Sequence, residues 1–308
     1  MAAAASAVDS LGIQVDIGVT SLDRLARLRD SIFAREIAAN GKLLWGDPKQ
    51  IDLPTAIDTH DLRKDGLRLL NNRIIEQLET RVKYEQGEAS ALMTRFAIQK
   101  LWLDLGTSLS IFTQCYQPSY AGRLKALEAR RSALDNELGP LAEVLLGHLR
   151  EATGARFEAA PPYFNLDTEF KCSWHALAQL WIWEGNVLTG ETVSLDDWSD
   201  IPKCLRRASS FHSCVRDYYR TIKRTQLRES LSWLSIRPIL MSGCPGNAIY
   251  AAGCLLLFFW EAIEARTRAG LCAMDFANRL LRANSGSSDI RNTALRVCGA
   301  WKLHLRAA

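Results

Sequence analysis

The feature that most constrains this chain is the spacing of its apolar residues beyond Pro54. They recur every three to four positions, which places them on one face of an α-helix. The clearest stripes are Leu67, Leu70, Ile74, Leu78, Val82 and then Leu92, Phe96, Leu103, Leu109. Further helices are predicted at 119–134, 140–152, 167–188, 211–235, 247–268, 271–283 and 288–305. The pattern therefore predicts a mainly α fold, with one large helical domain over 51–308.

The first 50 residues have a different pattern. Leu11 to Val19 alternates β-branched residues with Gly, Gln and Asp, as a half-buried strand does. A capped amphipathic helix is expected from Ser21 to Asn40, with a short strand after it. Residues 1–50 therefore read as a short α/β piece. Because one edge strand cannot form a stable sheet alone, we expect it to pair with a partner chain or a second copy.

Charge is unevenly distributed along the 308 residues. The formal net charge is only +4, which is too small for a protein that binds nucleic acid over its whole surface. Residues 1–202 carry 21 basic and 28 acidic side chains, whereas 203–228 carry eight basic side chains and one acid, Asp217. Any phosphate-binding surface is thus expected in the second half of the chain.

The cysteines and the apolar runs indicate the compartment. The eight cysteines include no C-x-x-C pair and lie among apolar residues, so we expect reduced, mostly buried thiols. Met1 to Val8 lacks the basic start of a signal peptide. The longest apolar run, Ala248 to Trp260, has 13 residues, whereas a membrane-spanning helix needs about 20. The prediction is a cytoplasmic protein without membrane segments, with that run as a buried core helix.

Four stretches resemble a known family. They are V-D-I-G-V at 15–19, N-G-K-L-L-W-G-D-P at 40–48, D-G-L-R-L-L-N-N-R-I-I-E-Q-L-E at 65–79 and the stretch from Lys100 to Leu127, which contains Y-Q-P-S-Y-A-G-R at 116–123. Together they resemble bacterial nucleotidyltransferase-like proteins of the polymerase-β type, in which a small catalytic α/β domain precedes a helical domain. The resemblance covers roughly residues 11–130 and does not extend to 131–308.

The resemblance implies transfer of a nucleoside monophosphate from an NTP to an unknown acceptor, with Mg²⁺. In such enzymes paired carboxylates hold two metal ions that clamp the attacking and leaving oxygens. Asp16 matches the third carboxylate of the family, which makes it the candidate catalytic residue and Mg²⁺ ligand. The Gly-Ser turn and D-x-D pair that precede it in the family have no counterpart in these 308 residues. We therefore expect the chain as given to be inactive in transfer, resembling a family member that begins inside its catalytic domain.

The basic stretch 203–228 is a second candidate site. Its residues Arg216, Arg220 and Arg224 share one helical face and could bind the phosphates of a nucleotide, while Phe211, Tyr218 and Tyr219 could stack on bases. No recognisable RNA-binding motif accompanies them, which makes nucleic acid the less favoured ligand. The alternative to the nucleotidyltransferase is thus a non-enzymatic helical interaction module that binds nucleotide or RNA through this stretch.

Overall fold

The computed structural model describes residues 31–42, 62–154, 165–224, 242–281 and 289–303, with only the backbone for 220–224. The chain divides into two compact units, Met1–Ile57 and Asp58–Ala308, and each is described by itself. The predicted first strand, Asp16 within it, and the predicted boundary between residues 50 and 51 lie outside the described residues. They stay predictions.

The described part of the chain is helical and contains no strand. In chain order its thirteen helices are α1 Ile32–Asn40, α2 Arg63–Glu85, α3 Ala91–Phe112, α4 Tyr120–Glu128, α5 Arg131–Leu138, α6 Pro140–Gly154, α7 Leu166–Thr189, α8 Asp200–Ala208, α9 Phe211–Arg224, α10 Pro245–Phe258, α11 Trp260–Glu264, α12 Arg268–Leu280 and α13 Ile290–Trp301. The mainly α prediction is confirmed, and the α/β piece at the N-terminus is not tested. Among the residues described, no helix has the length and apolarity to cross a membrane.

Helix α1 belongs to the first unit and has a well-defined start and end. The Ser31 side chain accepts a hydrogen bond from the Ala34 amide at 3.1 Å and so caps the first turn. The predicted end at Asn40-Gly41 is confirmed, because Gly41 leaves the helical conformation. The helix begins at Ile32, because Ser31 has an extended backbone, so one continuous helix through Ser31 is wrong. The part of the prediction that starts at Ser21 lies outside the described residues.

Helices α2 and α10 organise the core of the second unit. Every residue of α10 from Ala248 to Leu257 is buried, which confirms the predicted core helix. Helix α10 packs against α2, α7, α8, α12 and α13, while α2 packs against α3, α7 and α13. The predicted apolar stripe of α2, from Leu67 to Val82, faces this core and is 0–2% exposed.

The stripe predicted for α3 is only half right. Leu103 and Leu109 are buried, but Leu92 and Phe96 are 55% and 54% exposed. From Leu101 to Phe112 the helix is buried on all sides, whereas its first turns have no such cover. Helical spacing shows which residues share a face, but a neighbouring element must cover that face to bury it.

Two predicted helices are each interrupted. The helix expected over 119–134 is α4 and α5, separated at Ala129 and Arg130. The helix expected over 247–268 is α10 and α11, because Phe259 has φ −109° and ψ 14°, outside the helical range. Apolar spacing continues through both breaks, so it carries no signal for them.

Candidate functional site

The Tyr116–Arg123 stretch, one of those that carry the resemblance, folds around a buried arginine. Arg123 is 1% exposed. Its guanidinium donates to the carbonyl oxygens of Gln117 at 2.7 Å and Pro118 at 3.1 Å, to Thr107 Oγ1 at 2.8 Å and to the Tyr116 hydroxyl at 3.2 Å. The guanidinium thus joins the turn before α4 to the middle of α3. Arg123, the last residue of this stretch, therefore has a structural role.

Helix α9, which carries the predicted arginines, is attached to the core by its inward face. Asp217 Oδ2 accepts a hydrogen bond of 2.7 Å from the Gly246 amide in the first turn of α10. A carboxylate is favoured there because the N-terminal end of a helix carries partial positive charge. Cys214 and Tyr218 are half-buried on the same side. The one acid of the basic stretch is therefore committed to an internal contact.

The outward face of α9 exposes a stripe of apolar side chains. Phe211 is 80% exposed, Val215 50% and Tyr219 64%, and their spacing of four residues places them along one line. Arg216 lies next to this line and is also exposed. Within the described part of the chain, Arg216 has no ion-pair partner. Aromatic and basic groups are thus presented side by side to solvent.

The structure divides the predicted basic stretch into two parts. On α8, Lys203 forms ion pairs with Asp197 at 3.6 Å and Asp200 at 3.1 Å, and Arg207 pairs with Glu191. These charges are partly neutralised by their own neighbours, in contrast to that of Arg216 on α9. The surface with uncompensated charge is therefore smaller than the sequence suggested.

The predicted site residues are only partly brought together. Arg216, Arg220 and Arg224 lie on the same helix, α9, although the side chains of the last two are outside the described residues. Of the three aromatic candidates, Tyr218 turns inward, so Phe211 and Tyr219 alone are available for stacking. The four-residue spacing through Val215 was readable in the sequence and could have identified this face.

No metal site is found in the described ranges. They contain no group of three or more His, Cys, Asp or Glu side chains placed to hold an ion. Asp16, the predicted Mg²⁺ ligand, lies outside them. The prediction of Mg²⁺ and NTP as cofactors therefore stays untested.

Two buried carboxyl groups lie inside the helical bundle. Asp104 on α3 pairs with Arg73 Nε on α2 at 2.5 Å, and burial raises the Asp104 pKa although Arg73 lowers it. Glu184 on α7 is fully buried and accepts a 2.9 Å hydrogen bond from the Ser108 hydroxyl. Burial raises the Glu184 pKa well above its usual range, against the lowering effect of Ser108. Neither group lines a described cavity, so both belong to the core.

Replacing Glu184 by glutamine is expected to flatten the pH dependence of stability. Burial raises the pKa of Glu184 in the folded chain, whereas the unfolded chain ionises this group above about pH 4.3. Stability contributed by this group is thus complete below that pH. Above that pH the contribution of Glu184 to the free energy of unfolding falls by about 1.4 kcal/mol per pH unit, until the raised pKa of Glu184 in the folded chain is reached. Glutamine resembles the protonated acid and does not titrate. The free energy of unfolding of Glu184→Gln should therefore rise relative to that of the wild type as pH rises.

Urea unfolding of both proteins between pH 4 and pH 9 measures this difference. Glu151→Gln, which removes a largely exposed carboxylate, is the matched control and should leave the shape of the pH profile unchanged. Parallel stability curves for the wild type and Glu184→Gln would show that Glu184 ionises in the folded protein.

Comparison of the whole chain with protein-family models, curated proteins and solved structures finds no match. These comparisons therefore neither support nor contradict the resemblance to nucleotidyltransferase-like proteins. The conclusions about function that follow depend on the geometry of the described residues.

Proposed function

We propose that this chain is a binding module that holds single-stranded nucleic acid on the outward face of α9. The observation that carries the proposal is the exposed line Phe211, Val215, Tyr219 beside Arg216, whose exposed guanidinium forms no ion pair with any described residue. Proteins that bind single strands combine aromatic platforms for the bases with cationic groups for the phosphates. Both kinds of group occur here on one helix that is fixed to the core.

The shape of this face favours a strand over a mononucleotide. Small ligands are bound in concave pockets that bury most of their surface. Arg216 lines neither of the described cavities and lies on the open side of a helix. A strand needs no enclosure, because successive bases and phosphates contact successive groups along an open surface. The nucleotide site first expected around Arg216 is therefore replaced by a strand-binding surface in this proposal.

Charge supports the same choice of partner. The acid within the stretch, Asp217, binds the amide at the start of α10 and so lies on the inward side of α9, away from the exposed line. The backbone of α9 also carries Arg220, Lys223 and Arg224 in its last turns. A polyanion fits such a surface better than an acidic helix, since exposed aromatic rings gain little from carboxylates but stack on bases.

The test is fluorescence anisotropy with a labelled oligouridylate of about 12 nucleotides, a length in the range of single-strand sites. The double variant Phe211→Ala, Tyr219→Ala should weaken binding at least about tenfold, because each stacked base contributes ~1–3 kcal/mol. Arg216→Glu should weaken binding of all sequences alike and reduce the dependence on salt.

Two variants elsewhere on the surface serve as matched controls. Phe96→Ala removes another exposed aromatic ring, from α3, and Arg296→Glu makes the same charge change on α13. Both should bind the oligonucleotide as the wild type does. The proposal would be contradicted if the control variants lost as much affinity for the oligonucleotide, or if binding did not depend on salt. It would also be contradicted if α9 mediated association with a second copy or another protein while the chain did not bind RNA.

A second proposal keeps the nucleotidyltransferase-like identity implied by the resemblance. The observation behind it is that the resembling Tyr116–Arg123 stretch folds as one turn around the buried Arg123. Because the 308 residues contain no D-x-D pair, we expect the purified chain to release no pyrophosphate from Mg·NTP. Sustained pyrophosphate release that is lost in Asp16→Asn would contradict this expectation and establish a transferase site.

A further inference from the structure

A cavity of about 260 Å³ lies at the C-terminal end of α3, and no residue of α9 lines it. Its apolar walls are Phe112 from α3, Leu134 from α5, and Trp183 and Val187 from α7. The rings of Phe112 and Trp183 are 6.0 Å apart and inclined at 57°. The cavity thus offers two aromatic surfaces to one flat group.

Two guanidinium groups converge on the same cavity. Arg63 Nη2 donates to the Phe112 carbonyl at 3.3 Å, and Arg130 donates to the next carbonyl, that of Thr113. The Arg63 guanidinium also lies 5.9 Å from the centre of the Phe112 ring. Both arginines thus line the cavity and bind the carbonyl oxygens of two consecutive residues at the end of α3.

No carboxylate in the described ranges forms an ion pair with either of these two arginines. Neither Arg63 nor Arg130 has an ion-pair partner there, and the acid that lines the cavity, Glu137, is exposed and forms no ion pair with them. The C-terminal end of α3 holds the cations through its partial negative charge. Each guanidinium has five N–H donors and uses one of them on a carbonyl. The buried Arg63 Nε has no hydrogen-bond partner among the described residues. Several donors therefore remain for an anion.

Size and shape limit the ligand. The volume lies below the 300–1,000 Å³ of typical ligand pockets, which is too small to enclose a nucleoside triphosphate. Planar guanidinium groups match the two oxygens of a carboxylate. We propose that this cavity binds a small aromatic carboxylate, with the carboxylate between Arg63 and Arg130 and the ring against Phe112 and Trp183.

The test is titration of the full 308-residue chain with benzoate, followed by saturation-transfer NMR. For a ligand of about nine heavy atoms we expect a Kd of about 1 mM. Arg130→Gln should raise the Kd about tenfold or more, because it removes charge-assisted hydrogen bonds. Val187→Trp should abolish binding by filling the cavity while leaving both arginines in place. Since Val187 is 39% exposed, this variant is expected to fold.

Arg131→Gln is the matched control, because its guanidinium pairs with Asp135 and Glu143 and does not line the cavity. It should bind benzoate as the wild type does. The proposal is overturned if benzyl alcohol or inorganic phosphate binds as tightly as benzoate. It is likewise overturned if Arg130→Gln and Val187→Trp leave the Kd for benzoate unchanged. Absence of a saturation-transfer signal at a benzoate concentration about ten times the expected Kd would also overturn it.

Discussion

Replacing Arg123 by leucine is expected to lower the free energy of unfolding by about 3–5 kcal/mol. The substitution leaves the carbonyl oxygens of Gln117 and Pro118 and the hydroxyl of Thr107 without their buried donor. Each such group costs ~1–3 kcal/mol when it loses its partner away from water. The turn before α4 and its attachment to α3 would both be lost. Urea denaturation followed by circular dichroism measures the effect.

Two further variants separate the geometry of Arg123 from its charge. Arg123→Lys keeps the positive charge but cannot reproduce the planar fork, so we expect an intermediate loss of stability. Arg131→Leu removes an exposed guanidinium and should change stability by less than about 0.5 kcal/mol. A loss below about 1 kcal/mol in Arg123→Leu would mean that water or other donors replace the guanidinium.

Replacing Gly270 by alanine is expected to cost about 3 kcal/mol, an effect of steric overlap alone. A Cβ atom at Gly270 would lie 2.3 Å from the carbonyl carbon and oxygen of Ala262 and 2.4 Å from the Ile263 nitrogen. These are backbone atoms of α11 and cannot rotate away as a side chain could. Helices α11 and α12 would have to separate, which opens the contact of α12 with α10. The expected result is a thermal midpoint lower by several degrees.

Gly299→Ala on α13 is the matched control, because nothing lies within 4 Å of the added Cβ. Alanine favours a helix over glycine by about 0.5–1 kcal/mol, so this variant should be slightly more stable than the wild type. The same substitution is thus expected to have opposite signs at the two positions. Equal midpoints for Gly270→Ala and Gly299→Ala would show that α11 and α12 pack less closely than described.

The positions of the core helices could be predicted from the sequence because apolar spacing is a local property. The stripes of α2 and the run in α10 are buried as expected, since a helix with so much apolar surface must cover it. The same reasoning failed for Leu92 and Phe96, which have the spacing of core residues but no covering element. It also missed the break at Phe259, because apolar residues continue on both sides of it.

The candidate sites depended on tertiary structure to a greater degree. The sequence grouped Phe211, Tyr218 and Tyr219 together, and only the attachment of Asp217 to α10 separates the inward ring from the outward ones. It also counted Lys203 and Arg207 as free positive charges, although Asp200 and Glu191 pair with them. A charge count along the chain cannot show which partners the fold supplies.

By itself the sequence determined the helical class of this protein, the identity of its core helices and the location of its basic segment. These follow from residue type and spacing, which act within a few turns of chain. Tertiary structure alone decided that Arg123 is buried as a clamp, that Phe211 faces solvent and that Arg63 and Arg130 meet at the end of α3. The physical reason is that burial and the meeting of distant charges depend on which helix surfaces pack together, and this is a property of the whole fold.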